Sequence, residues 1–255
     1  MLLRRMTQHV KDQNWFAVVI DFLIVVLGVL VATQVSNWNS AREFKGHERV
    51  LLRELREEAV RNIADTQAKA ESFGVGAAAA RRVLVLSESE SPSCGVDCWP
   101  VVADLMHASQ WQQVNVSWST FDEMRREGLP SNRQIIPAIE EFQFVTSLSA
   151  NTLSVPPPYR TMVRRRIQIA LQDAYWNHCY SLNAGLELYL DPCPKPEGIV
   201  VDPTAIDSIL SDSEIMSALR EWTSVARVIS EALAEQHTRS DAILAAIDDN
   251  PKARP

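Results

Sequence analysis

An apolar stretch near the N-terminus constrains this chain more than any other feature. From Trp15 to Val35 the sequence reads WFAVVIDFLIVVLGVLVATQV, 21 residues of which Asp21 is the only formally charged one. A helix of that length covers the ~30 Å hydrocarbon layer of a bilayer. Trp15 and Trp38 lie near the two ends, where indole rings suit the headgroup regions. We therefore predict one membrane-spanning helix over 15–35.

The alternative is a cleaved signal peptide, because a basic leader at 1–14, with Arg4, Arg5 and Lys11, precedes the apolar stretch. The stretch is longer than the ~7–15 residues typical of a signal-peptide core. No small-x-small cleavage site follows Ala32. These observations favour an uncleaved anchor.

Basic residues do not settle the orientation of this helix, since they are nearly balanced across it. A long C-terminal domain, however, can be translocated largely regardless of its charge. We expect the N-terminus in the cytoplasm, the helix in the inner (cytoplasmic) membrane and the C-terminal domain in the periplasm. The basic residues are Arg4, Arg5 and Lys11 before the helix, and Arg42, Lys45, Arg49 and Arg53 after it.

Four cysteines follow the apolar stretch, and their neighbours support the same orientation. Cys94 and Cys98 lie in SCGVDCWP, and Cys179 and Cys193 flank a segment that ends in LDPCPKP. Cysteines beside Gly, Pro and Asp are typical of disulfides in an oxidising compartment, although four reduced thiols remain the alternative. Pairing Cys94 with Cys98, and Cys179 with Cys193, closes two short loops at low entropic cost.

Helical periodicity predicts a mainly α fold, with a helical extracytoplasmic domain at 36–250 and a disordered tail at 251–255. A long amphipathic helix continues from the anchor until Gly74 and Gly76 weaken or break it, and a matching helix follows Asp212. We expect their apolar seams to pack in an antiparallel pair of the coiled-coil type, looser at its far end where Gln236 and Ser240 are polar. The seam positions are Leu52, Leu55, Ala59, Ile63, Thr66, Ala70 and Phe73 in the first helix, and Ile215, Leu219, Trp222, Ala226, Ile229, Leu233, Gln236, Ser240, Ile243 and Ile247 in the second.

Shorter helices are predicted between these two long ones. A capping box at 120–123 starts one helix, and Gly128 ends it. The remaining expectations are a helix from Ser131 that the prolines at 156–158 stop, a helix at 159–182, a loop at 183–201 with a strand pair near 186–190 and 199–201, and a helix restarting at Asp202.

Two sequence blocks carry a resemblance to a known family. The apolar helix ends in Asn37-Trp38-Asn39, and Ser119-Thr120-Phe121-Asp122-Glu123-Met124 later precedes Gly128. This pattern resembles a bacterial family of single-pass membrane proteins of unknown function, whose spanning helix closes with Asn-Trp-Asn. The resemblance covers roughly 15–55 and 117–144, and it implies a helical, membrane-anchored domain without catalytic residues. The cysteine loops and the triple proline depart from the family pattern.

Charge and motifs argue against several function classes. The formal net charge of −7 and the pI of about 5.3 disfavour binding to nucleic acid through a general basic surface. The five histidines are scattered without a metal-ligand spacing, and no phosphate loop or nucleophile motif is present in the sequence. We therefore predict no catalytic residues, no metal site and no cofactor.

Two features suggest non-catalytic contacts. Asp21 would be costly facing lipid, so it either reaches the nearby interface or pairs with a neighbouring spanning helix, which Gly28 and Ala32 would let approach closely. A cluster of basic residues is either a solvated helix face or a contact for an anion such as a lipid headgroup or an acidic surface. The cluster consists of Arg160, Arg164, Arg165 and Arg166.

The function that fits these observations best is that of a non-enzymatic, membrane-anchored envelope protein. Its partners would be the lipid bilayer and either copies of itself or another membrane protein complex. The alternative is a single-pass sensor or modulator whose helical domain binds a small ligand. A large apolar pocket with convergent polar groups would favour the sensor, whereas an exposed apolar stripe on the long helices would favour assembly.

Overall fold

The computed structural model describes residues 15–183 and 186–249, which form a mainly helical fold as predicted. The predicted leader at 1–14 and tail at 251–255 lie outside the described residues. In chain order the elements are α1 (Trp15–Ser87), α2 (Trp99–Ala108), α3 (Ser119–Arg126), α4 (Ile135–Thr152), α5 (Pro158–Arg164), α6 (Ile169–His178), β1 (Tyr180–Asn183), β2 (Leu186–Tyr189), α7 (Pro203–Leu210) and α8 (Ser213–Asp248).

The chain divides into two compact units, residues 1–51 and 52–255. In the first unit α1 is strongly apolar, with a mean hydropathy of 2.3 over its most apolar window, none of which is buried. Each described side chain from Val19 to Val35 is exposed. One helix near the N-terminus is therefore long and apolar enough to be compatible with a membrane anchor.

In the second unit the later part of α1 packs against α8, and the two helices run antiparallel. Arg56 Nε donates to Asp248 Oδ1 at 2.9 Å near one end. Ser230 Oγ donates to the Ala70 carbonyl at 2.9 Å in the middle. All the predicted seam positions from 52 to 73 and from 215 to 247 are buried. The Phe73 and Trp222 rings lie 6.2 Å apart across the two helices, as the predicted packing requires, whereas Gln236 bonds to α4. Coiled-coil knobs-into-holes geometry stays a prediction.

The predicted break of the first long helix at Gly74 and Gly76 does not occur, because α1 continues to Ser87. A Cβ atom at Gly76 would lie 3.2 Å from the backbone oxygen of His107, and one at Gly74 would lie 3.2 Å from Ser230 Oγ. These glycines therefore allow α2 and α8 to approach α1 closely, although glycine lowers helix propensity by ~1 kcal/mol.

The predicted capping box does not form at the start of α3, where Trp118 takes the N-cap position without a side-chain cap. The carboxylate of Glu58 on α1 takes this role. Its Oε1 accepts from Ser119 Oγ at 2.9 Å and from the Thr120 backbone N–H at 3.2 Å. A carboxylate near a helix N-terminus satisfies free N–H groups and complements the helix dipole.

The end of α3 is as predicted. Gly128 adopts a φ of +78°, a backbone conformation that costs glycine little. The Leu129 N–H donates to the Met124 carbonyl at 2.8 Å, and the Gly128 N–H donates to the Arg125 carbonyl at 3.2 Å. This is the Schellman arrangement, in which left-handed glycine ends a helix.

The single helix predicted at 159–182 is wrong, because a turn separates α5 from α6. The amide of Gln172 stabilises the turn by donating at 2.8 Å to the carbonyls of Arg164 and Ile167. The strand prediction is wrong in its partner, since 186–189 pairs antiparallel with 180–183 and not with 199–201. A helix restarts after Asp202 as predicted, with Asp202 as the N-cap of α7, and Asp212 caps α8 as predicted.

Both predicted disulfides are present in the structure. Cys94 is bonded to Cys98, with Cα atoms 4.9 Å apart, directly before α2. Cys179 is bonded to Cys193, with Cα atoms 5.3 Å apart, and this bond encloses the β-hairpin. The described chain contains no free cysteine.

Candidate functional site

A groove between α4 and α8 is the best candidate for a binding site among the described residues. These two helices run antiparallel, since the Asn132 amide donates to the Ala246 carbonyl while the Gln236 amide donates to the Phe142 carbonyl. The space between them has a volume of ≈ 400 Å³. We call it the α4/α8 groove; it is lined by Ala138, Glu141, Phe142 and Val145 of α4, and by Ala232, Glu235, Gln236, Arg239, Ala242 and Ile243 of α8.

Short side chains explain why the groove exists. Alanine stands at 138, 232 and 242, where larger residues would fill the space between the two helices. The lining positions recur at three- and four-residue spacing, so each helix presents one face to the groove. The interior is mainly apolar, and the charged residues of the lining are exposed.

Gln236 is the one buried polar residue in this lining, with 3% of its surface exposed. Its Nε2 donates at 2.7 Å to the Phe142 carbonyl and at 2.8 Å to Thr146 Oγ1. Since a carbonyl can only accept, these bonds fix which end of the amide is nitrogen. Within the described part of the chain, Gln236 Oε1 has no hydrogen-bond donor. This oxygen is buried from solvent.

An ion-pair network spans the exposed edge of the α4/α8 groove. Arg239 pairs with Glu141 across the two helices and with Glu235 one turn away at 3.1 Å. The hydrogen bond to Glu235 raises the pKa of Arg239, so its guanidinium stays charged. The two carboxylates share one cationic partner, so these three residues carry a net charge of −1.

Two of the arginines proposed as an anion contact instead bind the protein's own backbone. Arg160 donates to the Ser109 carbonyl at 3.0 Å. Arg164 donates to Ser109 Oγ at 2.9 Å and to Gln110 Oε1 at 3.1 Å, and its guanidinium stacks over the Trp176 ring. Burial, followed by repulsion from Arg160, lowers the pKa of Arg164 to about 10. Both side chains thus hold the segment after α2 in place through hydrogen bonds.

The other two arginines lie on the surface. Arg166 pairs with the Asp212 carboxylate at 3.1 Å, and Arg165 is exposed. The four arginines therefore do not form one site. Two of them bond within the protein, and the other two are exposed on its surface. An anion contact through this cluster stays a prediction.

His107 lies at the centre of a buried polar network that the sequence did not indicate. Only 1% of its surface is exposed. Its Nε2 lies 3.2 Å from the Leu190 carbonyl and its Nδ1 lies 2.8 Å from the Tyr175 hydroxyl, which also accepts from Gln110. A carbonyl only accepts, so Nε2 carries the proton and Nδ1 accepts from Tyr175. Burial lowers the pKa of His107, which favours this neutral form.

This network links separate segments of the buried core. His107 joins the end of α2 to α6 and to the residue after β2. The adjoining Tyr159 hydroxyl is also buried and donates to the Leu105 carbonyl at 3.3 Å. Among the described residues, no group of three or more His, Cys, Asp or Glu could hold a metal ion.

The residues predicted to mediate membrane-helix contacts lie on α1. Asp21, Gly28 and Ala32 are exposed, and a Cβ atom at Gly28 would meet nothing within 4 Å. Trp38 is 66% exposed, and the Arg42 guanidinium lies 5.9 Å from its ring centre. Helix association through these residues stays a prediction, as does the interfacial placement of Trp15 and Trp38.

Comparison of the chain with protein families, curated proteins and solved structures found no match.

Proposed function

We propose that this protein is a non-enzymatic, membrane-anchored envelope protein whose helical domain, outside the cytoplasm, binds another protein or a further copy of itself. The observation that carries the proposal is the exposed apolar helix from Val19 to Val35 in a chain with two disulfides. Exposed apolar side chains of this length require lipid or protein around them. Disulfides persist in oxidising compartments.

A pair of reporter fusions tests the location. A reporter active only in the periplasm, fused after Pro255, is expected to be active, whereas a reporter active only in the cytoplasm is expected to be silent. Thiol labelling of intact cells before and after reduction provides an independent check, because disulfide-bonded cysteines react only after reduction. The reverse reporter result would refute the proposed orientation.

The exposed face of α4 supports the protein-binding role. Phe144 is 62% exposed and Leu148 is 52% exposed, and they lie one turn apart on that helix. Neighbouring exposed apolar side chains are typical of interaction surfaces. Native mass spectrometry of the extracted protein is expected to detect a complex that Phe144→Ser with Leu148→Ser weakens. Glu140→Ser, at another exposed position on α4, serves as the control.

The second candidate is a ligand-responsive sensor or modulator, and the α4/α8 groove favours it. The seams of the two long helices are buried within the domain, so they are not free to form the exposed stripe expected of assembly. A groove of ≈ 400 Å³ lies within the ~300–1,000 Å³ range of ligand pockets. Ligand binding and partner binding are separable, because Phe144 and Leu148 do not line the groove.

A further inference from the structure

We propose that the Cys94–Cys98 disulfide is a reversible thiol-exchange site, at which a low-molecular-weight thiol attacks Cys94 Sγ and forms a mixed disulfide. The proposal goes beyond the function proposed above and does not depend on the orientation in the membrane or on a binding partner. It rests on the contrast between this disulfide and Cys179–Cys193, which lies in the same compact unit.

The two disulfides differ in their access to solvent. Cys179 is 0% exposed and Cys193 is 8% exposed, and both belong to the buried core. Cys94 is partly exposed, and the three residues at 95–97 that separate it from its partner are fully on the surface. Thiol exchange requires an incoming thiolate to reach a sulfur atom, so access controls its rate. We therefore expect exchange at the first disulfide and not at the second.

Access also distinguishes the two sulfur atoms of the reactive bond. Cys98 is 2% exposed and takes the N-cap position of α2, whereas Cys94 is partly exposed in the segment before that helix. An incoming thiolate therefore reaches Cys94 Sγ first. Cys98 is the residue whose sulfur leaves.

The exchange proceeds in two balanced steps. The thiolate forms a bond with Cys94 Sγ while the Cys94–Cys98 bond breaks, and the electron pair of the broken bond goes to Cys98 Sγ, which takes up a proton. A second thiolate then attacks the sulfur of the small thiol in the mixed disulfide, and Cys94 leaves as a thiol in the same way. Two small thiols thus become one disulfide, and the cysteine pair gains two electrons and two protons.

Contacts that do not involve either sulfur atom hold the two cysteines in place. The Asp207 carboxylate on α7 accepts from the Cys94 N–H at 2.8 Å and from Ser93 Oγ at 3.1 Å. Trp99, the first residue of α2, is 1% exposed and its Nε1 donates to the Cys193 carbonyl at 3.2 Å. We therefore expect the two thiols to remain neighbours after reduction, so that the disulfide can form again.

Loop length indicates that the domain tolerates reduction of the first disulfide better than reduction of the second. Cys94 and Cys98 are separated by 4 positions, whereas Cys179 and Cys193 are separated by 14. A disulfide that closes a shorter loop removes less entropy from the unfolded chain and stabilises the folded state less. Opening Cys94–Cys98 is therefore compatible with a folded domain.

Reaction with reduced glutathione tests the proposal, with Cys179–Cys193 as the control within the same molecule. The full chain in lipid nanodiscs is incubated with glutathione, and samples taken over time are alkylated with N-ethylmaleimide and mapped by tandem mass spectrometry. Cys94–Cys98 is expected to open about 10-fold faster than Cys179–Cys193 or more, because exposure limits exchange. The first product should carry glutathione on Cys94 and the maleimide on Cys98.

Reversibility and folding are measured on the same sample. Replacing reduced glutathione with oxidised glutathione should restore the Cys94–Cys98 bond, and thermal melting before and after shows that the domain stays folded. The double variant Cys94→Ser with Cys98→Ser should lower the melting temperature less than Cys179→Ser with Cys193→Ser does. This comparison tests the argument from loop length without any thiol reagent.

The outcomes distinguish the parts of the proposal. Equal rates for the two disulfides, faster opening of Cys179–Cys193 or no reaction at either would overturn the exchange site. Glutathione found mainly on Cys98 would overturn the assignment of the attacked atom. Unfolding of the domain when Cys94–Cys98 opens would overturn reversible exchange and leave this bond with a purely structural role.

Discussion

The two parts of α1 use apolar residues in opposite ways. From Val19 to Val35 they occur all round the helix and are exposed. From Leu52 to Val83 most of them lie on one buried face, and most of the charged residues are exposed. A helix that is apolar all round needs apolar surroundings on every side, whereas a helix with one apolar face needs only a partner packed against that face. Within one uninterrupted helix, the distribution of apolar side chains and not their number determines what each part requires.

The largest expected effect comes from placing a charge in the buried seam. Leu55→Asp should lower the free energy of unfolding of the domain by about 4 kcal/mol or more, because it removes a fully buried apolar side chain and buries an unpaired carboxylate. Urea denaturation followed by tryptophan fluorescence measures this. Val60→Asp is the matched control, since Val60 lies on the same helix and is 43% exposed. Equal losses for the two variants would contradict the one-sided pattern.

A charge in the apolar part should act on insertion instead. Val25→Asp should oppose membrane insertion by about 3 kcal/mol, the usual cost of Asp near the centre of a spanning helix. The fraction that resists alkaline carbonate extraction measures insertion, and Val25→Leu is the control. The melting temperature of the domain should not change. Complete extraction of the unsubstituted protein by alkaline carbonate would show that this segment does not span a bilayer.

Acid should destabilise the unit at 52–255 through protonation of His107. Burial lowers its pKa in the folded state, while the carboxylates of Asp191 and Asp104 raise it and Arg82 lowers it. The unfolded state therefore binds more protons, so stability should be complete above about pH 6.5 and fall as the pH decreases below it. One group limits the slope to ~1.4 kcal/mol per pH unit. His107→Gln should flatten this slope in urea denaturation between pH 7.5 and 5.5; an unchanged slope would assign it to other groups.

Two glycines in α1 should respond oppositely to the same substitution. Gly46→Ala should stabilise the helix by up to ~1 kcal/mol, because a Cβ atom there meets nothing within 4 Å. Gly76→Ala should destabilise the domain by about 1 kcal/mol, because its Cβ would lie 3.2 Å from the His107 backbone oxygen. Thermal melting of both variants measures the difference. A stabilising Gly76→Ala would show that α2 can move away from α1.

The smallest expected effect concerns helix association in the bilayer. Asp21→Leu should favour insertion yet weaken association by ~0.6 kcal/mol, the typical value of an interhelical hydrogen bond. Gly28→Ile should weaken association through steric contact without the change in insertion. Chemical crosslinking in membranes, with a reagent that does not form disulfides, measures association in both variants. Unchanged association in both variants would leave the apolar part of α1 as a simple tether.

The sequence predicted those parts of the fold that depend on local chemistry. The seams follow from apolar residues at helical spacing, and the starts of α7 and α8 follow from the aspartates at their N-caps. The end of α3 follows from one glycine. Each of these signals lies within a few residues of the structure that it specifies, so neighbouring sequence is sufficient to detect it.

The features that the sequence did not predict depend on contacts between distant segments. From the sequence alone Gly76 is expected to break a helix, and only the position of α2 shows why a glycine stands there. The break between α5 and α6 depends on Gln172, which reads as an ordinary helical residue. The α4/α8 groove depends on alanines, which are favourable anywhere in a helix. Periodicity detected that Gln236 occupies a seam position, but not that one of its polar atoms is unpartnered.

The start of α3 has a consequence for how this chain changes over evolutionary time. The carboxylate that caps α3 belongs to Glu58, which precedes Ser119 by 61 positions. Loss of that carboxylate leaves the first N–H groups of α3 unsatisfied, and a new side-chain cap within α3 could replace it. Substitutions at 58 and 119 should therefore be inherited together, so that related chains retain either both residues or neither.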